Sequence, residues 1–361
     1  MERPEEKLSM PHPLFNTPFI AAPMAGGTST PDLARAVHEG GGLGFLAAGY
    51  KSAEAMCAEI AAARSLGIPF GMNVFVPDPR QLPPGPEAVE RLEAYRAELE
   101  PEAARYGVAL PPLRLDDDDA WQDKIDALLA DPVEFVSFAF GLPGKQVVTA
   151  LQKAGTTVIS SVTSVAEALA AAEDGPDALA VQHTSAGGHT AAFLPGTPEP
   201  AGAPGAGTPA ARTTAELVAQ VRAAVAVPLI AAGAVMDGRG LREVLAAGAS
   251  AAQIGTALVR TDESGARQAH KDALGDSVFT QTAMTRAFTG RMARALVNDF
   301  VRDHQDAPEG YPAIHHLTAP VRAASSAAGD PQRLNLWAGT GWQRAREGSA
   351  KDVVREFLSG L

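Results

Sequence analysis

Glycine-containing turns follow short apolar segments at two places where they could hold a phosphate group. The segment ending in Ala232 runs into Gly233, and the segment ending in Gln253-Ile254 runs into Gly255 and Thr256. Backbone N–H groups in turns of this kind point together and bind anions. We therefore expect a phosphate-bearing ligand beside these two turns.

Two amide side chains and further glycines occur at similar positions relative to apolar segments. Asn73 lies in Gly71-Met72-Asn73, and Gln182 ends Leu179–Gln182. Asn and Gln offer both a donor and an acceptor, which suits the amide edge of a flavin ring. Gly26, which follows Ala22-Pro23-Met24-Ala25, lets a planar ligand approach the backbone closely. The pattern thus predicts a ring-and-phosphate cofactor without identifying it.

One histidine stands beside these candidates. His189 directly follows Gly187-Gly188, and the two glycines leave space for the imidazole and a ligand to meet. An imidazole titrates near neutrality, so it can remove a proton from an acidic carbon. A histidine beside two glycines is also commonly a structural hydrogen-bonding group. The residues alone leave both interpretations open.

A repeating local pattern indicates the elements that must position these residues. An Ala-rich helical segment ends in Gly, and a short apolar run follows; this occurs at Gly40, Gly155, Gly175 and Gly248. Gly after a helix suits a left-handed C-terminal cap, and short apolar runs suit buried parallel strands. Eight strands are predicted: Phe19–Ala22, Gly44–Leu46, Phe70–Phe75, Phe135–Phe138, Thr157–Ser160, Leu179–Gln182, Pro228–Ala232 and Ala252–Gly255. This number favours an α/β fold of the (β/α)8 TIM-barrel type, whose active sites lie at the carboxyl ends of the strands.

Three segments interrupt the repeat and define the expected domains. We predict a barrel over residues 1–276, with an inserted segment at about 77–132 after strand three and a mobile loop at about 195–211. Residues 277–361 are predicted to form a C-terminal helical extension that caps the barrel. The run Asp116–Asp119 in the insertion is interpreted as a solvated acidic turn in preference to a metal site.

Composition excludes several classes of protein. The chain has 361 residues, 46% of them hydrophobic, and a formal net charge of −12. That charge argues against nucleic-acid and anionic-membrane partners, and no apolar run is long enough to span a bilayer. The single Cys57 cannot form an intramolecular disulfide, and no Cys/His cluster has zinc-ligand spacing, so no metal is expected. Residues 1–13 lack the apolar core of a secretory signal, and we expect a cytoplasmic protein.

The order and spacing of several motifs resemble those of the nitronate monooxygenase (2-nitropropane dioxygenase) family, whose members are FMN-dependent (β/α)8 barrels. The resemblance covers Pro18 to about Gln343. It is carried by Ala22-Pro23-Met24-Ala25-Gly26-Gly27, Gly71-Met72-Asn73-Val74-Phe75, Ser137-Phe138-Ala139-Phe140-Gly141, Ala186-Gly187-Gly188-His189, Gln253-Ile254-Gly255-Thr256, Phe288-Thr289-Gly290-Arg291 and Leu336-Trp337-Ala338-Gly339.

The resemblance implies an enzyme that uses FMN and O2 to oxidise nitronates or nitroalkanes to carbonyl compounds and nitrite. His189 matches the catalytic histidine of the family, acting either as base or as holder of the nitronate anion. The implied cofactor contacts are Met24, Gly26, Asn73, Gln182, Gly187, Gly188, Gly233, Gln253, Ile254, Gly255 and Thr256.

Some features stay open at this point. An NAD(P)H-dependent reductase of enoyl thioesters or quinones, and a non-catalytic flavin- or phosphate-binding protein, are the alternatives. Thr190-Ala191-Ala192-Phe193 departs from the His-Arg-Gly that commonly follows the histidine motif, and lacks that arginine. Roles for His183, Tyr311 and His315-His316 cannot be read from the sequence. Barrels with exposed helices often pair, which leaves a homodimer open.

Overall fold

A computed structural model describes residues 14–78, 82–195 and 211–361. Residues 1–13, for which we predict no secretory signal, and most of the loop predicted at about 195–211 lie outside the described residues. The strands are β1 (Phe19–Ala21), β2 (Gly44–Ala47), β3 (Phe70–Phe75), β4 (Phe135–Ala139), β5 (Thr157–Val162), β6 (Ala178–Gln182), β7 (Gly188–His189), β8 (Leu229–Ala232), β9 (Ala251–Ile254), β10 (Thr282–Thr285) and β11 (Ala293–Leu296).

Eight of these strands form one parallel barrel. Their order is β1-β9-β8-β6-β5-β4-β3-β2. The barrel closes between β1 and β2, where the Leu43 N–H donates to the Phe19 carbonyl at 3.0 Å and the Ala21 N–H donates to the Leu43 carbonyl at 2.8 Å. The predicted (β/α)8 barrel and its eight strands are confirmed, with strand ends that differ by two residues at most.

Helices cover the outside of the barrel. They are α1 (Pro31–Glu39), α2 (Ala53–Ser65), α3 (Pro86–Glu98), α4 (Glu100–Tyr106), α5 (Trp121–Ala130), α6 (Lys145–Lys153), α7 (Val165–Asp174), α8 (Thr214–Ala224), α9 (Gly238–Ala246), α10 (Thr256–Val259), α11 (Gln268–Ala273), α12 (Asp299–Asp303), α13 (Ala313–Ala327) and α14 (Ala350–Ser359). Two 3₁₀ turns lie at Pro331–Arg333 and Trp342–Arg344.

The helix boundaries follow from local sequence signals. Thr30 caps α1, because its side chain accepts a hydrogen bond from the Leu33 N–H at 2.9 Å, and Ser164 caps α7 in the same way. Helix α7 ends at Gly175 with φ of 76°, the left-handed cap that its sequence predicted. Because helices and strands alternate and the barrel strands are parallel, the carboxyl ends of all eight barrel strands lie at the same mouth of the barrel.

The predicted insertion at about 77–132 and the tail after residue 276 each contribute one part to the outer ring of helices and another part to the mouth of the barrel. Helix α5, within the predicted insertion, packs against α2 and α6, so it belongs to the ring, and α3 and α4 form the inserted part. Helix α14 packs against α1 and α9, which makes it the eighth helix of the ring. The predicted division at residue 276 stays a prediction, and residues 256–349 lie between the last barrel strand and this last ring helix.

Helices of the inserted part and helices of the tail pack together as a cap, which we define as α3, α4, α12 and α13. Leu92, Tyr95 and Leu99 contact Phe288 and Phe300 in one buried cluster. The Tyr95 hydroxyl also donates to the Ala287 carbonyl at 2.8 Å. After residue 276 the chain forms α12, α13 and α14, and it also forms β10 and β11, which the sequence pattern did not predict. Strand β11 pairs antiparallel with both β10 and β7.

Replacing Leu99 by Ala tests the cap. Leu99 is 0% exposed, so Leu99→Ala leaves a cavity and is expected to lower the free energy of unfolding by about 2–5 kcal/mol. Leu169, which is 50% exposed, is the matched control, and Leu169→Ala is expected to change it by less than about 0.5 kcal/mol. Denaturant titration measures both, and equal effects would contradict the packing described.

Candidate functional site

A cavity of about 410 Å³ opens at the carboxyl ends of the barrel strands. Its volume lies in the usual range of cofactor and small-molecule sites. All but one of the predicted site residues line it: Met24, Gly26, Asn73, Gln182, Gly187, Gly188, His189, Gly233, Gln253, Gly255 and Thr256. Ile254 is the exception, because its side chain is buried between the sheet and the outer helices.

Backbone turns form one end of the cavity. Gly233 has φ of 125°, and a Cβ there would lie 2.9 Å from Ser185 Oγ, so only glycine fits without strain. The Gly339 N–H donates to Thr256 Oγ1 at 3.0 Å, and a Cβ on Gly187 would lie 2.5 Å from the Gly339 nitrogen. These contacts join the turns after β6 and β9 to the tail. We call Gly187, Gly233, Thr256 and Gly339 together the glycine cradle.

The two predicted amides have different hydrogen-bond partners. Asn73 Nδ2 donates to the Ser137 carbonyl at 3.1 Å and to Ser137 Oγ at 2.9 Å, which leaves its side-chain oxygen as the group able to accept from a ligand. Gln182 Nε2 donates to the His189 carbonyl at 2.9 Å, and Gln182 Oε1 accepts from the Ala191 N–H at 2.7 Å. Gln182 thus holds the histidine segment as well as lining the cavity.

His189 lies on β7 and is surrounded by rings. Its Nε2 is 2.8 Å from Thr289 Oγ1. Its ring centroid is 5.7 Å from that of Phe140, 6.0 Å from that of Tyr311 and 5.2 Å from that of Trp337. These aromatic side chains and the Thr289 contact together restrict the imidazole to one orientation at the cavity wall.

The surroundings of His189 disfavour its charged form. Burial, together with the positive charges of Arg291 and Arg322, lowers its pKa to about 3. The imidazole is therefore neutral at neutral pH, which is the state that accepts a proton.

Arg291 approaches the histidine segment from a distant part of the chain. Its Nε donates to the Thr190 carbonyl at 3.2 Å, and its Nη2 donates to the Ala192 carbonyl. Its guanidinium carbon lies 4.0 Å from the centroid of Phe140, a cation–π geometry. The Phe288-Thr289-Gly290-Arg291 segment thus places a guanidinium against the backbone that follows His189.

Arg322 is a second buried cation, and it lines the cavity from α13. Its Nε donates to Thr318 Oγ1 at 3.0 Å and its Nη2 donates to the His315 carbonyl at 2.7 Å. Burial lowers its pKa to about 10, so it remains charged at neutral pH. Arg267 also lines the cavity, and the lining contains no carboxylate among the residues that the structure describes. The cavity therefore carries a positive potential.

An aromatic stack that the sequence did not reveal forms part of the wall. The ring of Tyr50 stacks on His315, with centroids 3.7 Å apart and planes 2° apart. The Tyr50 N–H donates to Asp119 Oδ1 at 2.7 Å, and Asp119 pairs with the buried Lys124 at 2.7 Å. The only sequence signals were the loop after strand two and the turn-forming run Asp116–Asp119, and neither shows that they meet.

The remaining titratable candidates lie around this wall. His316 Nε2 is 2.5 Å from Asp117 Oδ2, and the side chains of Asp117 and Asp119 are only 13% and 15% exposed, so the acidic run is not simply solvated. Within residues 14–78, 82–195 and 211–361, no group of three or more His, Cys, Asp or Glu side chains is arranged to hold a metal ion. His183 lies outside the cavity lining, 2.8 Å by its Nδ1 from Ser185 Oγ and 3.2 Å by its Nε2 from the Ala211 carbonyl.

These features fit a flavin on structural grounds. The glycine cradle, where a Cβ would clash, offers N–H groups to a phosphate. The Asn73 oxygen offers an acceptor for a ring N–H, and Met24 and Trp337 offer apolar surface to the ring faces. The fold and the site together define a parallel α/β-barrel enzyme of the flavin-dependent oxidoreductase class.

The chain belongs to the nitronate monooxygenase family, whose model matches residues 11–360. It is 34% identical over 345 residues to a probable nitronate monooxygenase of Staphylococcus saprophyticus, a match that covers 94% of this chain and 93% of that one. A solved structure of a nitroalkane oxidase from Streptomyces ansochromogenes is similar to this chain, with 46% identity, 96% coverage of both chains and a TM-score of 0.87. FabK from Thermotoga maritima is similar with 25% identity, coverage of 96% and 93%, and a TM-score of 0.71.

One further finding concerns membranes. In the described part of the chain, every helix is too short or too polar to cross a bilayer.

Gly233→Ala tests the cradle. The new Cβ would lie 2.9 Å from Ser185 Oγ at a φ of 125°, so flavin affinity is expected to fall at least about tenfold. Absorbance titration of the stripped protein with flavin measures this. Gly67→Ala is the matched control, because Gly67 has φ of 68° but open space around it, away from the cavity. Equal affinities for the two variants would show that the cradle does not hold the flavin.

Proposed function

We propose that this protein oxidises nitronates, and nitroalkanes after proton removal by His189, with FMN as cofactor and O2 as oxidant. The products are carbonyl compounds and nitrite. Membership of the nitronate monooxygenase family supports this proposal, as does likeness to a structure titled as a nitroalkane oxidase. The observation that supports the proposal most directly is the neutral imidazole of His189, which lies on the wall of a positively charged cavity that also contains the glycine cradle.

The residues of the chain divide the work of the proposed reaction. The turns at Gly233 and at Gly255-Thr256, which line the cavity, would hold the cofactor phosphate, and the Asn73 side-chain oxygen would accept a hydrogen bond from the ring edge. Bound FMN would supply electron transfer from substrate to O2. His189 takes the proton from the α-carbon of a nitroalkane, and Arg322 favours the anion that results.

The positive potential also explains why an anionic nitronate would enter. Two guanidinium groups, those of Arg267 and Arg322, line the cavity without a carboxylate in the described lining. Opposite charges attract more strongly where water is excluded.

Activity measurements on His189 variants test the proposal. We expect aerobic oxygen uptake and nitrite formation with nitroethane and with ethyl nitronate, and a loss of about 10²–10⁴-fold with nitroethane in His189→Asn. His38→Asn, which changes an exposed histidine on α1, should retain full turnover. The alternative reductase activity predicts anaerobic bleaching of the flavin by NADH or NADPH and no response to nitronate, and that result would overturn the proposal.

The pH dependence with nitroethane provides a second test. A base whose pKa is lowered to about 3 stays deprotonated as pH falls through 6.5, so kcat/KM at pH 5.5 is expected within about twofold of its value at pH 7.5. An unperturbed histidine would lose about tenfold over that interval. Arg322→Gln removes one of the positive charges that lower the pKa of His189, so the decrease in kcat/KM at acidic pH should begin at a higher pH in this variant. A decrease in wild-type kcat/KM centred near pH 6.5 would contradict the environment described for His189.

A further inference from the structure

The segment that carries His189 is fixed at its backbone on both sides. Gln182 bonds the His189 carbonyl and the Ala191 N–H, and the Thr190 N–H donates to the Met292 carbonyl at 2.9 Å. Strand β7 also pairs with β11, with His189 opposite Ala293. The backbone of this segment is therefore fixed in position. The orientation of the imidazole ring and the nitrogen that carries its hydrogen must be determined by side-chain contacts.

Three contacts converge on the hydroxyl of Thr289, which is 1% exposed. His189 Nε2 lies 2.8 Å away, the Arg291 carbonyl oxygen 3.2 Å away and the Arg291 N–H nitrogen 3.4 Å away. A hydroxyl has one hydrogen to donate and two lone pairs to accept with. The Arg291 N–H can only donate and the Arg291 carbonyl can only accept, so they take one lone pair and the hydrogen.

Only one arrangement then satisfies all three contacts. The remaining lone pair of Thr289 accepts from His189, so His189 Nε2 carries the ring hydrogen. His189 lines the cavity, and its Nδ1 makes no hydrogen bond with any described residue. In a neutral imidazole the second nitrogen bears a lone pair, so Nδ1 is the acceptor that a ligand meets.

We propose that Thr289 is a positioning residue that fixes the Nε2–H tautomer of His189 and so leaves Nδ1 as the basic atom towards the substrate. This inference rests on the proposed function for its kinetic consequences, but the tautomer itself does not. The tautomer distinguishes the two roles considered for His189, base and holder of the nitronate anion. With hydrogen on Nε2, the Nδ1 atom of the neutral ring can accept a proton but cannot donate a hydrogen bond to a nitronate oxygen.

The proton transfer balances within the cavity. The α-C–H bond of the nitroalkane breaks, and its electron pair forms the C=N bond of the nitronate. The N=O π bond breaks as its electron pair moves to the oxygen, which takes the negative charge, and the proton forms a bond to Nδ1. The imidazolium keeps its Nε2–H bond to Thr289 Oγ1, which stabilises the charged ring without moving it. One cation and one anion form together, so the net charge of the site does not change.

Nitrogen NMR of the flavin-loaded enzyme tests the tautomer directly. In ¹⁵N-labelled protein, with His189→Asn to assign the signals, we expect a protonated Nε2 and an unprotonated Nδ1 at pH 7. Thr289→Val keeps the shape of the side chain but removes the hydroxyl, and should shift the tautomer towards Nδ1–H. A wild-type Nδ1–H tautomer, or an unchanged tautomer in Thr289→Val, overturns the proposal whatever the enzyme oxidises.

Kinetics separate positioning from a merely structural role. Thr289→Val should lower kcat for nitroethane by about 10–100-fold with KM within about threefold, lower kcat for ethyl nitronate much less, and raise the α-deuterium isotope effect. Thr289→Ser, which restores the hydroxyl, should return kcat to within about threefold of wild type. Thr156→Val is the matched control, because Thr156 is buried and its hydroxyl donates to the Val133 carbonyl at 2.8 Å, away from the cavity.

The controls also distinguish failure of this inference from failure of the proposed function. If wild-type protein turns over neither nitro compound, the proposed function fails, and the NMR result still decides the role of Thr289. If Thr289→Val slows both substrates equally, or loses flavin as it loses turnover, its role is structural and the inference fails.

Discussion

The antiparallel pairing of β7 with β11 is the contact on which the site depends. Strand β7 is only two residues long and follows a barrel strand, whereas β11 comes from the tail more than a hundred positions later. Their pairing carries Thr289 and Arg291, which lie just before β11, to the histidine segment. A short strand is not stable alone, so the orientation of His189 is a property of the assembled tail and barrel together.

A buried cation without a carboxylate partner gives this cavity its chemical character. Arg322 is held by Thr318 Oγ1 and the His315 carbonyl oxygen, which satisfy its N–H groups but do not cancel its charge. The same charge that disfavours an imidazolium stabilises an anion beside it. Proton transfer from carbon to His189 therefore depends on the difference between these two effects, not on the basicity of the imidazole in isolation.

The barrel and the glycine turns could be predicted because their signals are local. A glycine such as Gly175, which ends α7 with a φ of 76°, needs only its neighbours in sequence to require a particular backbone. All eight strands were found in this way. Nitronate monooxygenase membership was also readable, because its motifs lie at strand ends in a fixed order.

The partners of His189 could not be predicted, because they are brought together only by tertiary packing. Thr289 is one hundred positions from the histidine that it contacts, and no spacing rule joins them. Stacking of Tyr50 on His315 likewise requires the loop after β2 to meet α13. The strands β10 and β11 are short and lack a strong alternating pattern, so the sequence does not predict that they pair.

Helix α14 completes a ring that begins with α1, and residues 350–359 are therefore the neighbours of residues 31–39. A ribosome-bound chain that has emerged only up to residue 349 exposes the apolar flank of α1, together with the matching flank of α9. Until residues 350–359 emerge and pack, the nascent chain leaves this surface open to chaperones and to other unfinished chains.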